Sequence, residues 1–247
     1  MVRFHVEQKD VFRDRFLISD EAVCNHLRQV LRIGKGKKIE LFDGQGNLYV
    51  GEIRYLDKKQ VSGMVISHEK LIEPYPYVIL GQAFPKAGKA DEIVRMNTEV
   101  GVSEFVFFKS EYSIPQIESY DYKKIDRLNR VVIEAVRQSE RVIVPQINPA
   151  CDFKDILKMK ADVKVMLHPR LEGGISISDL KVMINKKNRK ADVQKKILVL
   201  IGPEGGFSPA EVEKAKESGF VMLKLNMPIL RTETAGVVVS GIIIGEA

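Results

Sequence analysis

The sequence lacks residues on which several classes of protein depend. It contains two cysteines, four histidines and no tryptophan in 247 residues. Cys24 and Cys151 lie far apart, which excludes a disulfide framework or a sulfur-rich zinc site and fits a reducing compartment. The four histidines are scattered and show no metal-ligand spacing, so we expect no bound metal.

Long apolar runs are also missing. A membrane-spanning helix needs about 18 or more consecutive apolar residues, and no such stretch occurs. The first ten residues, MVRFHVEQKD, have no apolar segment of the kind found in signal peptides. The apolar stretch Val237–Ile244 is too short to span a membrane and is typical of a buried helix. We therefore expect a soluble, cytoplasmic protein.

The chain is instead rich in apolar and basic residues. Hydrophobic residues make up 45% of the sequence, which is enough for a packed core. Lysine and arginine number 39 against 33 acidic residues, so the formal net charge is +6. This charge favours a polyanionic partner, although many basic proteins bind no nucleic acid.

Residues 1–72 show the pattern of a small β-barrel. Four short runs with the alternation or β-branched residues of strands are separated by turn signals: Arg15–Ile18, Lys38–Phe42, Leu48–Tyr55 and Gln60–Ser67. One helix interrupts them. Ser19 or Asp20 is its predicted N-cap, and Gly34 is its predicted end.

The pattern changes near Glu73, where we predict a domain boundary, and residues 73–247 alternate between strands and helices. The predicted strands are Tyr77–Ala83, Glu104–Lys109, Val163–Leu167, Ile197–Ile201 and Val221–Leu225. The predicted helices are Asp91–Val100, Tyr122–Gln138, Pro209–Ser218 and Thr232–Ile244. This order predicts an α/β domain with a mainly parallel sheet, in which ligands bind at the carboxyl ends of the strands. The lysine-rich segment Lys181–Lys196 is expected to be a solvated surface loop or an extra contact to an RNA backbone.

A glycine-rich turn follows the apolar strand Ile197–Ile201. Its sequence, Gly202-Pro-Glu-Gly-Gly-Phe, leads directly into a predicted helix. Ser208 is a good N-cap for that helix, Pro209 suits its first position, and Glu211 completes a capping box. Glycines at such a turn let a ligand approach the backbone closely, and the spacing matches neither a dinucleotide fingerprint nor a P-loop.

A second polar loop precedes the C-terminal helix. It brings Arg231, Glu233 and the hydroxyls of Thr232 and Thr234 together, which suits a polar reacting group. Alternatively, the threonines and Glu233 only cap the helix and Arg231 is a surface charge. Two such loops after neighbouring strands together indicate a cleft.

The two loops resemble the paired signature of the SPOUT methyltransferases. The two motifs read Gly202-Pro-Glu-Gly-Gly-Phe-Ser and Ile229-Leu-Arg-Thr-Glu-Thr-Ala. Further matches are Thr98-Glu-Val-Gly-Val, Glu134-Ala-Val-Arg-Gln-Ser-Glu-Arg, His26-Leu-Arg-Gln-Val-Leu-Arg and Glu40-Leu-Phe-Asp-Gly. They run in order over nearly the whole chain, and the branch that the sequence most resembles is the 16S ribosomal RNA uridine-N3 methyltransferase family.

The resemblance implies an N-terminal PUA-like barrel, a C-terminal SPOUT domain with a trefoil knot, a homodimer and the cofactor S-adenosylmethionine. Three knot loops would hold the cofactor, through Leu167 and His168 in the first, Gly202, Gly205 and Gly206 in the second, and Leu225, Met227, Ile229 and Leu230 in the third. The chain departs from the family pattern at Met96, Val100 and Arg170, where lysine, leucine and an acid are common.

The implied reaction methylates N3 of a uracil in 16S ribosomal RNA, and the N3 proton must leave. We assign Arg231 to stabilising the negative charge that develops on the base. Glu204 and Glu233 are the candidate proton acceptors. Each of these side chains has an alternative role in helix capping or ion pairing.

Basic and polar residues that fit phosphate contacts occur in two groups. The candidates for RNA binding are Arg28, Arg32 and Lys35 in the first group, and Arg137, Gln138 and Arg141 in the second. Because N3 is buried inside a paired stem, we expect the target to be an accessible or flipped uridine.

Three other functions remain as alternatives. A SPOUT enzyme that methylates another position, such as a ribose 2′-hydroxyl, usually carries a Ser-Leu-Asn loop in place of Ile229-Leu-Arg-Thr-Glu-Thr-Ala. A non-catalytic RNA-binding or ribosome-assembly factor would not need an intact cofactor loop. A nucleotide-binding oxidoreductase is disfavoured, because the dinucleotide glycine pattern and its later acid are missing.

Overall fold

The computed structural model describes residues 1–86, 88–114, 116–169, 173–185 and 194–245. The chain divides into two compact units. The N-terminal unit contains Met1–Glu73 and also Val136–Val144, and the C-terminal unit contains Pro74–Ala135 and the described residues from Pro145 onward. The single boundary predicted at residue 73 therefore misses Val136–Val144, which groups with the N-terminal unit.

Six strands and one short helix form most of the N-terminal unit. They are β1 (Arg3–His5), β2 (Val11–Phe12), β3 (Arg15–Ile18), α1 (Glu21–Asn25), β4 (Lys38–Phe42), β5 (Asn47–Leu56) and β6 (Val61–Lys70). The sheet has the order β1-β4-β5-β6-β3-β2, with β1 parallel to β4 and every other pair antiparallel. Within this unit no backbone ladder joins β1 to β2, so hydrogen bonds do not close the predicted barrel.

The core of this unit lies between the inner face of the sheet and α1. Asp20 caps α1 by accepting hydrogen bonds from the backbone N–H groups of Ala22 and Val23, as one of the two predicted N-caps. The helix continues as a π-helical turn over His26–Val30, so it ends before the predicted Gly34. The ring of Phe16 fills the space above Gly63, where a Cβ would stand 2.6 Å from a ring carbon.

The C-terminal unit alternates between strands and helices. Its strands are β7 (Tyr77–Ala83), β8 (Glu104–Lys109), β9 (Gln146–Ile147), β10 (Cys151–Asp152), β11 (Val163–Leu167), β12 (Lys196–Ile201) and β13 (Val221–Leu223). Its helices are α2 (Lys89–Glu99), α3 (Tyr122–Gln138, whose last turn belongs to the N-terminal unit), α4 (Phe153–Ile156), α5 (Ile177–Asn185), α6 (Pro209–Glu217) and α7 (Thr232–Gly245). The predicted elements of this unit are confirmed to within two residues at each end.

The sheet of this unit is entirely parallel among the described residues, in the order β10-β8-β7-β12-β11-β13 with β9 beside β8. The central strands β7 and β12 are almost fully buried, which explains why they read as continuous apolar runs. The C-terminal helix α7 packs on α2 and on β7 and β12. The carboxyl ends of β11, β12 and β13 meet at one edge, and the loops that follow them lie there.

The lysine-rich segment differs from the expected surface loop where it is described. Its first five residues, 181–185, form the end of α5, and residues 186–193 lie outside the described part of the chain. Arg170, one of the departures from the family pattern, also lies outside it. Among the described residues, no helix has both the length and the apolar character needed to cross a membrane.

Candidate functional site

Three loops of the C-terminal unit enclose a cavity of about 670 Å³ at the carboxyl edge of the sheet. They follow β11, β12 and β13, respectively. This volume is within the range of about 300–1,000 Å³ that small-molecule sites occupy. The cavity lining includes every residue predicted to bind the cofactor: Leu167, His168, Gly202, Gly205, Gly206, Leu225, Met227, Ile229 and Leu230.

The glycine loop after β12 is tightly built. A Cβ at Gly202 would stand 3.2 Å from the ring of Phe207, and Gly206 has a φ of +76°, a left-handed conformation that favours glycine. The predicted capping box is confirmed, because Ser208 and Glu211 each accept a hydrogen bond from the other's backbone N–H. The carboxylate of Glu211 also accepts hydrogen bonds from the Ser110 hydroxyl and from a neighbouring backbone amide. These hydrogen bonds fix the end of the loop, where α6 begins.

A buried hydrogen-bond chain connects the glycine loop to the start of α7. The Thr232 hydroxyl donates to the Gly202 carbonyl oxygen at 2.7 Å and accepts from Gln82 Nε2 at 2.9 Å. Gln82 is only 1% exposed. Thr232 therefore fastens two walls of the cavity together, a role that differs from the helix capping considered from the sequence.

The third loop supplies apolar surface. Leu225 is buried, whereas Met227 is 41% and Ile229 is 61% exposed. Apolar side chains exposed in a concave site are available for contact with a ligand. They suit the flat apolar face of an adenine ring.

His168 lines this cavity, and one of its ring nitrogens is buried. Its Nδ1 is buried and has no hydrogen-bond partner among the described residues. Burial lowers the pKa of His168 below its ordinary value of 6.5, so the ring is neutral at pH 7.

The three residues predicted to be catalytic lie in or beside the cavity. Arg231 and Glu204 line it, and Glu233 follows at the start of α7. The Arg231 side chain is exposed, and its guanidinium has no hydrogen bond or ion pair with the described residues. It is therefore available to a ligand or a substrate.

Lys89, which the sequence analysis missed, joins the other two predicted catalytic residues. Its ammonium lies 2.9 Å from Glu233 Oε2 and 3.3 Å from Glu204 Oε1. Lys89 is the first residue of α2 and also lines the cavity. It lies just beyond the carboxyl end of β7, and the rule that ligands bind at such strand ends would have pointed to it.

The predicted RNA-binding residues belong to the N-terminal unit. Arg32 and Lys35 are exposed, and Gln138 is exposed at the end of α3. Arg28 and Arg137 are half-buried, and one guanidinium nitrogen of Arg28 is buried without a hydrogen-bond partner.

Arg141 does not fit the predicted role in RNA binding. It is 8% exposed, and its Nε and Nη2 atoms donate to the two carboxylate oxygens of Glu73 at 2.8 and 2.7 Å. A bidentate ion pair of this kind uses the guanidinium face that a phosphate would need. The prediction for Arg141 is therefore corrected to a structural role within the N-terminal unit.

Comparisons with known proteins give the same outline. The RNA methyltransferase domain family matches residues 73–244, and the RNA methyltransferase PUA domain family matches residues 19–63, which confirms the PUA-like N-terminal domain. Ribosomal RNA small subunit methyltransferase E of Aquifex aeolicus is 32% identical over 240 residues, which cover 97% of this chain and 98% of the relative. The protein of the same name from Mesomycoplasma hyopneumoniae is 28% identical, with 96% of both chains covered.

One of the matching solved structures contains a bound ligand. The crystal structure of ribosomal RNA small subunit methyltransferase E from Neisseria gonorrhoeae, bound to S-adenosyl methionine, matches with a TM-score of 0.78 and 26% identity. The match covers 97% of this chain and 95% of that chain. A relative at 32% identity over nearly the full length, and a domain family that spans most of the sequence, show that this chain belongs to the ribosomal RNA small subunit methyltransferase E family of RNA methyltransferases.

Proposed function

We propose that the protein transfers a methyl group from S-adenosylmethionine to N3 of a uridine in 16S ribosomal RNA of the small ribosomal subunit. The observation that carries the proposal is the cavity formed by the three loops, which every predicted cofactor residue lines in a chain of this family. The homologous structure from Neisseria gonorrhoeae, which binds S-adenosyl methionine, supports the choice of cofactor.

The residues of the cavity fit such a cofactor. The backbone of the glycine loop is accessible because Gly202, Gly205 and Gly206 have no side chains, and the apolar third loop suits the adenine ring. His168 adds a ring to the wall of the cavity beside the glycine loop. The cofactor would supply an electrophilic methyl group.

The protein residues would then control the proton and charge of the base. Uracil N3 must lose its proton in order to attack, and the carboxylates of Glu204 and Glu233 are the candidate acceptors. Arg231, whose guanidinium is exposed beside the cavity, would stabilise the negative charge that develops on the base. Orientation of N3 against the methyl carbon supplies a further part of the rate enhancement.

RNA recognition is assigned to exposed basic and polar residues of the N-terminal unit. The exposed side chains of Arg32, Lys35 and Gln138 are accessible to phosphates. Arg28 and Arg137, which are close to them in the sequence, are half-buried. Contacts of this type would make binding depend on salt concentration and would read the shape of folded RNA more than its sequence.

We further propose that the C-terminal domain is a SPOUT domain with a trefoil knot and that the protein is a cytoplasmic homodimer. The path of the chain supports the knot. β13 lies at the edge of the sheet, and α7, which follows it in the chain, packs on the central strands β7 and β12. The Thr232 to Gly202 hydrogen bond joins the start of α7 to the glycine loop.

The test of this function is methyl transfer with labelled S-adenosylmethionine to small ribosomal subunits, followed by digestion of the RNA to nucleosides. Label in N3-methyluridine supports the proposal. Label in a 2′-O-methylated nucleoside, the alternative for a SPOUT enzyme, contradicts the assigned position. RNA binding without any methyl transfer favours the ribosome-assembly factor.

A further inference from the structure

A cluster of three charged residues beside the cavity contains Lys89, which has no role in the sequence-based account of the reaction. Lys89 contacts Glu233 and Glu204 at 2.9 and 3.3 Å, and Glu204 also accepts a hydrogen bond from the Lys86 backbone N–H at 3.2 Å. The three charged residues come from three separate segments: the start of α2, the glycine loop and the start of α7. One ammonium group thus holds both candidate proton acceptors.

This cluster differs from the surface ion pairs elsewhere in the unit. The side chains of Lys89, Glu204 and Glu233 are 29%, 24% and 11% exposed, whereas those of the exposed pair Lys158 and Asp155 are 72% and 47% exposed. Ion pairs on an exposed surface contribute little, because water and salt screen them. Screening is weaker in the cluster, so its charges influence one another more strongly.

We propose that Lys89 is a positioning residue for methyl transfer, which holds Glu204 and Glu233 at the cavity and keeps Glu233 ionised. The proposal rests on the proposed function, because it assigns Glu233 as the acceptor of the N3 proton. Among the described residues, Lys89 and Arg231 are the charged groups that act on the Glu233 carboxyl. Without Lys89, the two carboxylates that its ammonium contacts at 2.9 and 3.3 Å would lose the cation between them.

The electrostatics of the cluster agree with this assignment. The hydrogen bond to Glu233 raises the pKa of Lys89, so the ammonium stays charged throughout the neutral range. For Glu233, burial acts to raise the pKa, but its own backbone N–H and the Lys89 ammonium outweigh burial and lower the pKa below 4.5. Removing Lys89 takes away the hydrogen bond and the positive charge that lower the pKa of Glu233, while burial remains, so the pKa of Glu233 rises.

Methyl transfer to N3 moves one proton and two electron pairs. Uracil N3 gives its proton to the Glu233 carboxylate and uses the electron pair so released to form a bond to the methyl carbon. The carbon–sulfur bond breaks, its electron pair stays on sulfur, and the sulfonium leaves as a neutral thioether. The protonated Glu233 then releases this proton to water.

The experiment compares pH profiles of methyl transfer to small ribosomal subunits for the wild type and Lys89→Met. Dividing the two rates at each pH removes the titration of uridine itself, which affects both proteins equally. A rise of one unit in the pKa of Glu233 means about tenfold less carboxylate at pH values below it. For such a one-unit rise, we expect the rate of Lys89→Met relative to wild type to fall by about two- to threefold more at pH 5 than at pH 8.

The matched control is Lys158→Met, which removes an ion pair of the same 2.9 Å length in the same unit but outside the cavity. It should keep the pH profile of the wild type. A Lys89→Met profile parallel to that of the wild type, with a loss that is uniform at all pH values, overturns the role of Lys89 alone. A wild-type protein that transfers no methyl group overturns the proposed function as well.

A second variant covers the case in which Lys89→Met does not fold. Lys89→Arg keeps the charge but changes the geometry, so it should lower kcat while preserving the shape of the pH profile. A shift of the acid limb in Lys89→Arg would contradict the proposal. The rate of Glu233→Gln relative to wild type should rise as pH falls, because only the wild type loses its carboxylate, and a ratio that does not change with pH also contradicts the proposal.

Discussion

Replacing Thr232 by valine tests the buried chain that fastens the cavity walls. Valine has almost the same shape as threonine but lacks the hydroxyl that donates to Gly202 and accepts from Gln82. A buried polar group left without its partner costs about 1–3 kcal/mol. Water from the cavity can reach Gly202, and Gln82 Nε2 keeps a hydrogen bond to the Ala83 carbonyl at 3.0 Å. Two groups lose a partner, and these remaining contacts reduce the cost for each. We therefore expect the free energy of unfolding to fall by roughly 2–3 kcal/mol.

Thr232→Ser is the matched control, because it keeps the hydroxyl and loses only a methyl group, at a cost of about 1 kcal/mol. Urea unfolding followed by circular dichroism measures both variants, since the chain has no tryptophan for fluorescence. The valine variant should be less stable than the serine variant by about 1–2 kcal/mol and should bind S-adenosylmethionine more weakly. Equal stability of the two variants would refute the account of the hydrogen-bond chain.

Two further predictions follow from the ion pair and the buried imidazole. Arg141→Met removes the buried cation that contacts Glu73 and should destabilise the N-terminal unit by about 3–5 kcal/mol in urea unfolding. The double variant with Glu73→Leu should recover most of that loss, and no recovery would contradict the pairing. For His168, the folded-state pKa is lowered, so the unfolded state binds the proton more readily and the stability from the neutral ring is lost as pH falls below 6.5. The wild type should lose stability relative to His168→Gln between about pH 8 and pH 5, and parallel changes in the two proteins would contradict this sign.

Much of the C-terminal unit could be predicted because its local signals agree with its packing. The run Ile197–Ile201 is apolar throughout because β12 is buried on both faces, so the unbroken apolar stretch alone predicts a strand. The capping box of Ser208 and Glu211 marks the start of α6 within the sequence itself. Short elements such as β1 and β9 have two or three residues, too few for any periodicity, and they exist only because a neighbouring strand pairs with them.

The parts of the site that escaped prediction depend on contacts between distant segments. Lys89 is separated from Glu233 by 144 residues, and Gln82 from Thr232 by 150, so no local pattern reveals either pair. Arg141 reads as a basic residue available for RNA until the fold brings it to Glu73, 68 residues away. The nine residues predicted to bind the cofactor line one cavity, because their loops follow neighbouring parallel strands.

The central claim is that the cavity of the three loops binds S-adenosylmethionine, and calorimetric titration tests it most directly. The comparison is between the wild type and Gly205→Trp, whose indole would occupy the glycine loop. Tyr122→Trp, at an 83% exposed position outside the cavity, controls for the added tryptophan. The account predicts binding to the wild type and to Tyr122→Trp and its loss in Gly205→Trp. No binding to the wild type, or equal affinity in all three proteins, would contradict it.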